Sequence, residues 1–379
     1  MDFLRRHKRK VFITVGAVAG AYVATNWLKS KFFELQERLL TERLAKENLE
    51  KRFEQNQKDA TFTILALLPS LAHNVLTKYD VEAIRRSLQA LRTPKQELAD
   101  STSDVLAGSA VMAADGGDSS LTKAEMWDKI KIQSLTRVWT LVYAASLLVL
   151  LTRVQLNVLG RDAYVLSVQE MAGKTFKLDQ SVQEDEVNRQ YLTISWWLIN
   201  KGWDSLSQRV EAAVQVCTEK IDPVTELTLA QVEELFGNIQ YTVDHPRELD
   251  GNSFLTNILP PQELETYVLS QAPGTVTAPE VVEGKLRDML NETADLIESP
   301  NAVQVLQRLV HAGISCLVDK LKPTFAQQDS SAKLATVLAV CTKQAHQISA
   351  GHPLGNDYVD AMTACEELDA LCAVIYTNF

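Results

Sequence analysis

Gly173-Lys174-Thr175 ends the way a phosphate-binding loop ends, but such a loop also needs a glycine at 168, where Val168 stands. Without that turn the backbone amides cannot fold around a phosphate. The chain holds no G-x-S-x-G and no H-E-x-x-H, so neither a nucleophile elbow nor a helical zinc site is encoded. Its six histidines (7, 73, 245, 311, 346, 352) contain no i, i+4 pair, and His311 and His346 fit helix surfaces. Glu366, Glu367 and Asp369 read as a solvated face rather than an acid–base pair. Five cysteines (Cys217, Cys316, Cys341, Cys365, Cys372) form no C-x-x-C and read as buried, reduced thiols. Asn291-Glu292-Thr293 is a glycosylation sequon, but in a helix-patterned stretch it matters only if the chain faces a secretory lumen. No catalytic residues, metal or cofactor are implied.

One constellation suits binding. Met126, Trp127, Ile130 and Ser134 recur at helical spacing, with Lys123, Asp128, Lys129 and Lys131 around them. Tryptophan buries a large apolar area at small entropic cost, which makes it a frequent hot-spot residue. The pattern alone fits a core aromatic equally well.

The elements that must hold this cluster read as helices. The chain has 379 residues, 46% of them hydrophobic and 23% charged, enough to bury a substantial core. A net charge of −10 argues against a nucleic-acid partner. The charge is uneven: residues 1–60 carry thirteen Lys and Arg against eight Asp and Glu, and the remainder twenty-five against forty. Residues 1–10 form a basic head, with five Lys or Arg among positions 5–10. Residues 11–28 follow without a charge, about 27 Å as a helix against a hydrocarbon core of about 30 Å. This predicts a transmembrane anchor; a secretory signal and a buried helix are the rivals. Gly16 and Gly20 form a G-x-x-x-G that would let two such helices approach closely.

From residue 29 to 379 the pattern predicts one body. Residues 29–59 read as an amphipathic helix, 61–78 as an apolar helix kinked or broken at Pro69, and 81–91 as a further helix carrying Ile84, Leu88 and Leu91. Residues 93–122, rich in Ser, Asp, Gly and Ala, read as a mobile loop. Val138 to Thr152 is uncharged and bracketed by Arg137 and Arg153, too short for a span and apolar enough for a central core helix. Helices are expected at about 185–219, 228–241, 279–298, 302–321, 331–349 and 359–376, with an irregular connection over 244–279. The fold class is all-α: an N-terminal transmembrane helix followed by a single elongated helical bundle.

Several blocks resemble the peroxisomal biogenesis factor 3 (peroxin-3) family: FLRRHKRKVFITVGAVAGAYV at 3–23, RFEQNQKDATFTILALLPSL at 52–71, EMWDKIKIQSLTRVWTLVYAASLLVLLTRVQLNVLG at 125–160 and LNETADLIESPN at 290–301. The resemblance implies a single-pass peroxisomal membrane protein with a cytosolic helical domain that supports membrane protein insertion. Its partner would be the soluble import receptor of the peroxin-19 type, whose N-terminal amphipathic helix enters a hydrophobic groove. Trp127 is the groove residue carried over most directly. Ile130, Met126, Lys123, Leu88 and Leu91 lie around it, and Lys333 in AKLATVL matches a basic edge position. Membrane lipid and inheritance or autophagy factors are the other partners implied, and a tether for cytoskeletal or organelle-inheritance factors is the alternative function. The family places the N-terminus in the matrix, whereas Arg5 to Lys10 would place it in the cytosol by the positive-inside rule.

Overall fold

The computed structural model describes residues 46–90, 122–171, 178–246, 253–271, 282–327, 330–351 and 355–378. The basic head, the 11–28 segment with Gly16 and Gly20, Leu91, nearly all of the 93–122 loop and Gly173-Lys174-Thr175 lie outside them. The chain divides into two compact units, Met1–Gln55 and Asn56–Phe379. Of the first, only helical residues 46–55 are described. The second is all-α.

The helices of the described residues are α1 (46–78), α2 (Val81–Ala90), α3 (Lys123–Met171), α4 (Leu178–Thr193), α5 (Ser195–Trp197), a π turn (Leu198–Gly202), α6 (Trp203–Thr218), α7 (Leu229–Asp244), α8 (Leu255–Ile258), α9 (Gln262–Ser270), α10 (Gly284–Glu298), α11 (Pro300–Gln327), α12 (Leu334–Ile348), α13 (Asp357–Thr363) and α14 (Glu366–Thr377). β1 (Glu226–Thr228) and β2 (Ser331–Lys333) form a short antiparallel pair in which Glu226 faces Lys333.

α3 is the axis. Its 49 residues span about 73 Å, and 134–155 are buried without a break, wrapped by α6, α12, α14, α11, α2 and α13. A helix apolar on all sides needs neighbours on all sides. Two described stretches, Lys46–Ala90 and Lys123–Met171, are long and apolar enough to cross a membrane. The apolar window of Lys123–Met171 lies wholly inside the protein and forms the bundle core. α1 buries one face, Ala60, Ile64, Leu68, Leu71 and Val75, at i, i+4 and i+3 spacing.

The arginines that bracket the apolar run do not end the helix. Arg137 is fully buried and Arg153 is 3% exposed, both mid-helix. Arg137 donates to both carboxylate oxygens of Glu82 (2.7 and 2.9 Å), and Arg153 donates to Gln57 and to the Thr61 hydroxyl. Charge marks a helix end only where no partner is available inside.

Several expected boundaries shift. α1 runs through Pro69 without a break, with Pro69 on its exposed side. Proline has no N–H to give the Leu65 carbonyl four residues back, and Gly351 packs there: an added Cβ would sit 2.7 Å from the Leu65 oxygen. The expected 185–219 helix is split by the break at Ile194 and the π turn. The expected 359–376 helix is split at Ala364–Cys365. The 244–279 connection contains α8 and α9, and 331–333 is a strand. Cys341 and Cys372 are buried thiols, whereas Cys217, Cys316 and Cys365 are only partly covered. The sequon threonine, Thr293, is fully buried, its hydroxyl bonded to the Tyr191 hydroxyl at 2.6 Å.

Candidate docking groove

α3 begins at a capping box. Thr122 accepts from the Glu125 amide (3.3 Å), and the Glu125 carboxylate accepts from the Thr122 amide (2.6 Å). This fixes Lys123 as the first helical residue and sets the rotation of the turns behind it. Met126 and Trp127 emerge half-buried on one face and Ile130 buried below them.

α2 supplies the facing wall. Val81, Leu88 and Ile130 form a small apolar cluster, against which Ile84, Met126 and Trp127 pack. Two anchors hold α2 in place. One is that cluster; the other is Glu82, gripped by Arg137 on α3 and by His346 on α12 (3.1 Å). Burial alone would raise the Glu82 carboxyl, but the hydrogen bonds from Arg137 and His346 outweigh it and hold the carboxyl down at about 2. The Tyr79 carbonyl, just before α2, accepts from Arg137 at 3.3 Å.

On the other side of Trp127 lies a cavity of about 240 Å³, lined by Ala124, Trp127, Asp128, the turn Asp222–Val224, and Ala335. Lys131 ties α3 to the residues just before that turn. Buried at 5% exposure, its ammonium donates to the carbonyls of Thr218 (3.1 Å) and Ile221 (2.9 Å), capping the end of α6, and pairs with Asp128. The turn is also stitched to α12, through Ala335 N–H to Pro223 O (2.8 Å) and Leu334 N–H to Thr225 O (2.9 Å). Lys333 is thereby carried to the rim, two residues from the cavity lining.

The structure therefore brings Leu88, Met126, Trp127 and Ile130 into one cluster and sets Lys123 and Lys333 exposed beside it. Neither lysine has an ion pair among the described residues. Leu91 falls outside the described residues. Sequence reasoning missed Val81, Ile84 and the Asp222–Val224 turn as parts of the site. Ile84 was visible in the α2 period; Asp222-Pro223 signals a turn, but nothing in it says that the turn is brought beside a tryptophan about ninety-five residues away. Chemically, the arrangement offers a half-buried indole between an apolar wall and an open cavity, with cations at its edges. It suits an apolar helix face and holds no acid–base machinery. Among the described residues no group of His, Cys, Asp and Glu is placed to hold a metal.

A model of the Peroxin-3 family matches residues 2–120 and 97–378. The chain is 38% identical to the peroxisomal biogenesis factor 3 of Yarrowia lipolytica, covering 100% of this chain and 99% of that one. It is 27% identical to the peroxisomal membrane protein PEX3 of Komagataella phaffii, over 99% of this chain and 98% of the relative. The rat peroxisomal biogenesis factor 3 is 26% identical over 100% of this chain and 96% of its own length.

Proposed function

The chain belongs to the peroxin-3 family of peroxisome biogenesis factors, which are not enzymes, and from that premise we propose that it docks a soluble receptor for newly made peroxisomal membrane proteins at the organelle surface. The receptor would present an amphipathic helix whose apolar face covers Ile84, Met126 and Trp127 and sends one side chain into the cavity beside Val224. Residues 11–28 would anchor the chain in the peroxisomal membrane, with the N-terminus in the matrix and the domain cytosolic. The observation that carries the proposal is Trp127 itself: a tryptophan left half in water, although Arg137, Lys131 and a capping box are all spent on holding its surroundings rigid. Preorganisation of this kind removes part of the ordering cost of binding.

Calorimetric titration of the receptor's N-terminal helix into the wild-type and Trp127→Ala proteins, with a melting curve for each, is the test. The expected loss is about 2–4 kcal/mol, roughly 30- to 1000-fold in affinity, with little change in Tm. A variant that melts far lower yet binds normally would return Trp127 to the core.

A further inference from the structure

A second surface carries aromatic rings that the fold does not need for its core. On the α4–α5 stretch, Leu192 and Trp196 are four residues apart and share a face, because the backbone remains right-handed helical at Ile194 between them (φ −57°, ψ −28°). On α9, Leu264 and Tyr267 are three apart and share another. The two faces meet where the Trp196 and Tyr267 rings touch edge to face, centroids 5.9 Å apart. Leu192, Leu264 and Tyr267 are 37%, 40% and 46% exposed, and Trp196 is half-buried.

The scaffold fixes this outward aim. The π turn that follows adds a residue to the helical repeat, so the stripe carrying Trp203 (8% exposed) turns inward while Trp196 stays outside. The turn is locked. Asn257 donates to Gly202 O (3.0 Å) and the Ser205 hydroxyl (2.7 Å), and Asn74 donates to Ile199 O (2.8 Å). The Trp197 indole donates to Thr256 O (2.9 Å), joining the same stretch to α8.

Beside the rings stand two exposed carboxylates, together with an arginine on the same face, Arg189, that is paired with Glu186. Asp185 lies seven residues before Leu192 on its face, and Glu263 four residues before Tyr267 on its face. Both are exposed and neither has an ion pair among the described residues, whereas neighbouring Glu186 is neutralised by Arg189 at 2.7 Å. Aromatic anchors flanked by unpaired carboxylates complement a segment that is apolar in the centre and cationic at its sides. We propose that the Trp196–Tyr267 surface is a docking site, separate from the Trp127 groove, for a basic amphipathic helix of a partner protein.

The probe is an 18-residue amphipathic helix with leucine and phenylalanine on one face and four flanking lysines, compared with the same helix carrying four glutamates. Each is titrated against the full chain in phosphatidylcholine nanodiscs at about 0.15 M salt, where exposed charges beyond about 8 Å are screened. The lysine helix is expected to bind at least tenfold tighter than the glutamate helix. Trp196→Ser with Tyr267→Ser should weaken it at least tenfold, and Trp127→Ala should leave it unchanged. Asp185→Lys with Glu263→Lys alters only exposed side chains, so it keeps the fold and should reverse the preference. Equal binding of the two helices, loss of binding with Trp127→Ala, or insensitivity to the charge reversal overturns the proposal. So does a dimer in sedimentation that Trp196→Ser with Tyr267→Ser dissolves, which would make a second copy the occupant.

Discussion

At the residue scale, the groove should respond in graded fashion. Ile130 is 7% exposed and forms the floor under Trp127, so it contributes to both fold and site. Ile130→Ala should cost about 2–3 kcal/mol of stability and weaken receptor binding less than Trp127→Ala does, read by melting and titration of one sample. Lys333→Ala touches only the rim. Its effect should fall mainly on the association rate and shrink as salt rises, as stopped-flow measurements at about 0.05 and 0.5 M would show. Trp127 was legible from its spacing with Met126 and Ile130, but its exposure was not, since a core aromatic and a docking aromatic share that period. What separates them is the wall of Ile84 and Leu88 across a long connection, and the Asp222–Val224 turn. A one-dimensional pattern cannot bring these together. Arg137 shows the same limit: as a charge it looked like the edge of the apolar run, and it is fully buried because Glu82, more than fifty residues earlier, meets it.

At the element scale, α2 depends on that pair. Glu82→Gln should loosen α2 through a defined pH window. The Glu82 carboxyl is held near 2 in the fold against an ordinary 4.5, so the folded state favours its ionised form. Its contribution is fully present above about 4.5 and fades as pH falls toward 2. The gap in Tm between wild type and Glu82→Gln should therefore be wide at pH 6 and narrow near pH 2.5. A gap that stays constant would show that Glu82 acts by packing alone. The π turn offers a steric counterpart. Gly202 has an ordinary φ of −61°, but an added Cβ would lie 1.9 Å from the Asn257 carbonyl oxygen. Gly202→Ala must push α8 away, and overpacking against backbone should cost about 2–3 kcal/mol in chemical denaturation. Helical periods place these elements approximately. The breaks at Ile194 and Ala364 were hidden, since neither glycine nor proline marks them and each is set by what the next segment packs against.

At the scale of the whole molecule, the question is which apolar stretch meets lipid. Two described stretches pass on length and composition, and for Lys123–Met171 the packing decides: its apolar window is entirely covered by other helices. Exposing it to a bilayer would mean stripping α6, α11, α12 and α14 from it, each contact buried at about 25 cal/mol per Å². α1 turns Ala60, Ile64, Leu68, Leu71 and Val75 to the bundle and leaves Phe62, 58% exposed, with Pro69 on its outer side, a one-sided pattern rather than a span's uniform one. We propose that anchoring falls to residues 11–28, a chargeless run with a basic flank that reads as a transmembrane span. Full-length protein should resist carbonate extraction, and deletion of residues 1–31 should yield a monodisperse, cooperatively melting protein in detergent-free buffer. If the truncated protein instead remained in the membrane pellet, α1 would be the stretch that holds it there, and Phe62→Lys would release it. If it aggregated with its core helix accessible to proteases, the burial of Ser134 to Gln155 would itself depend on the missing segment.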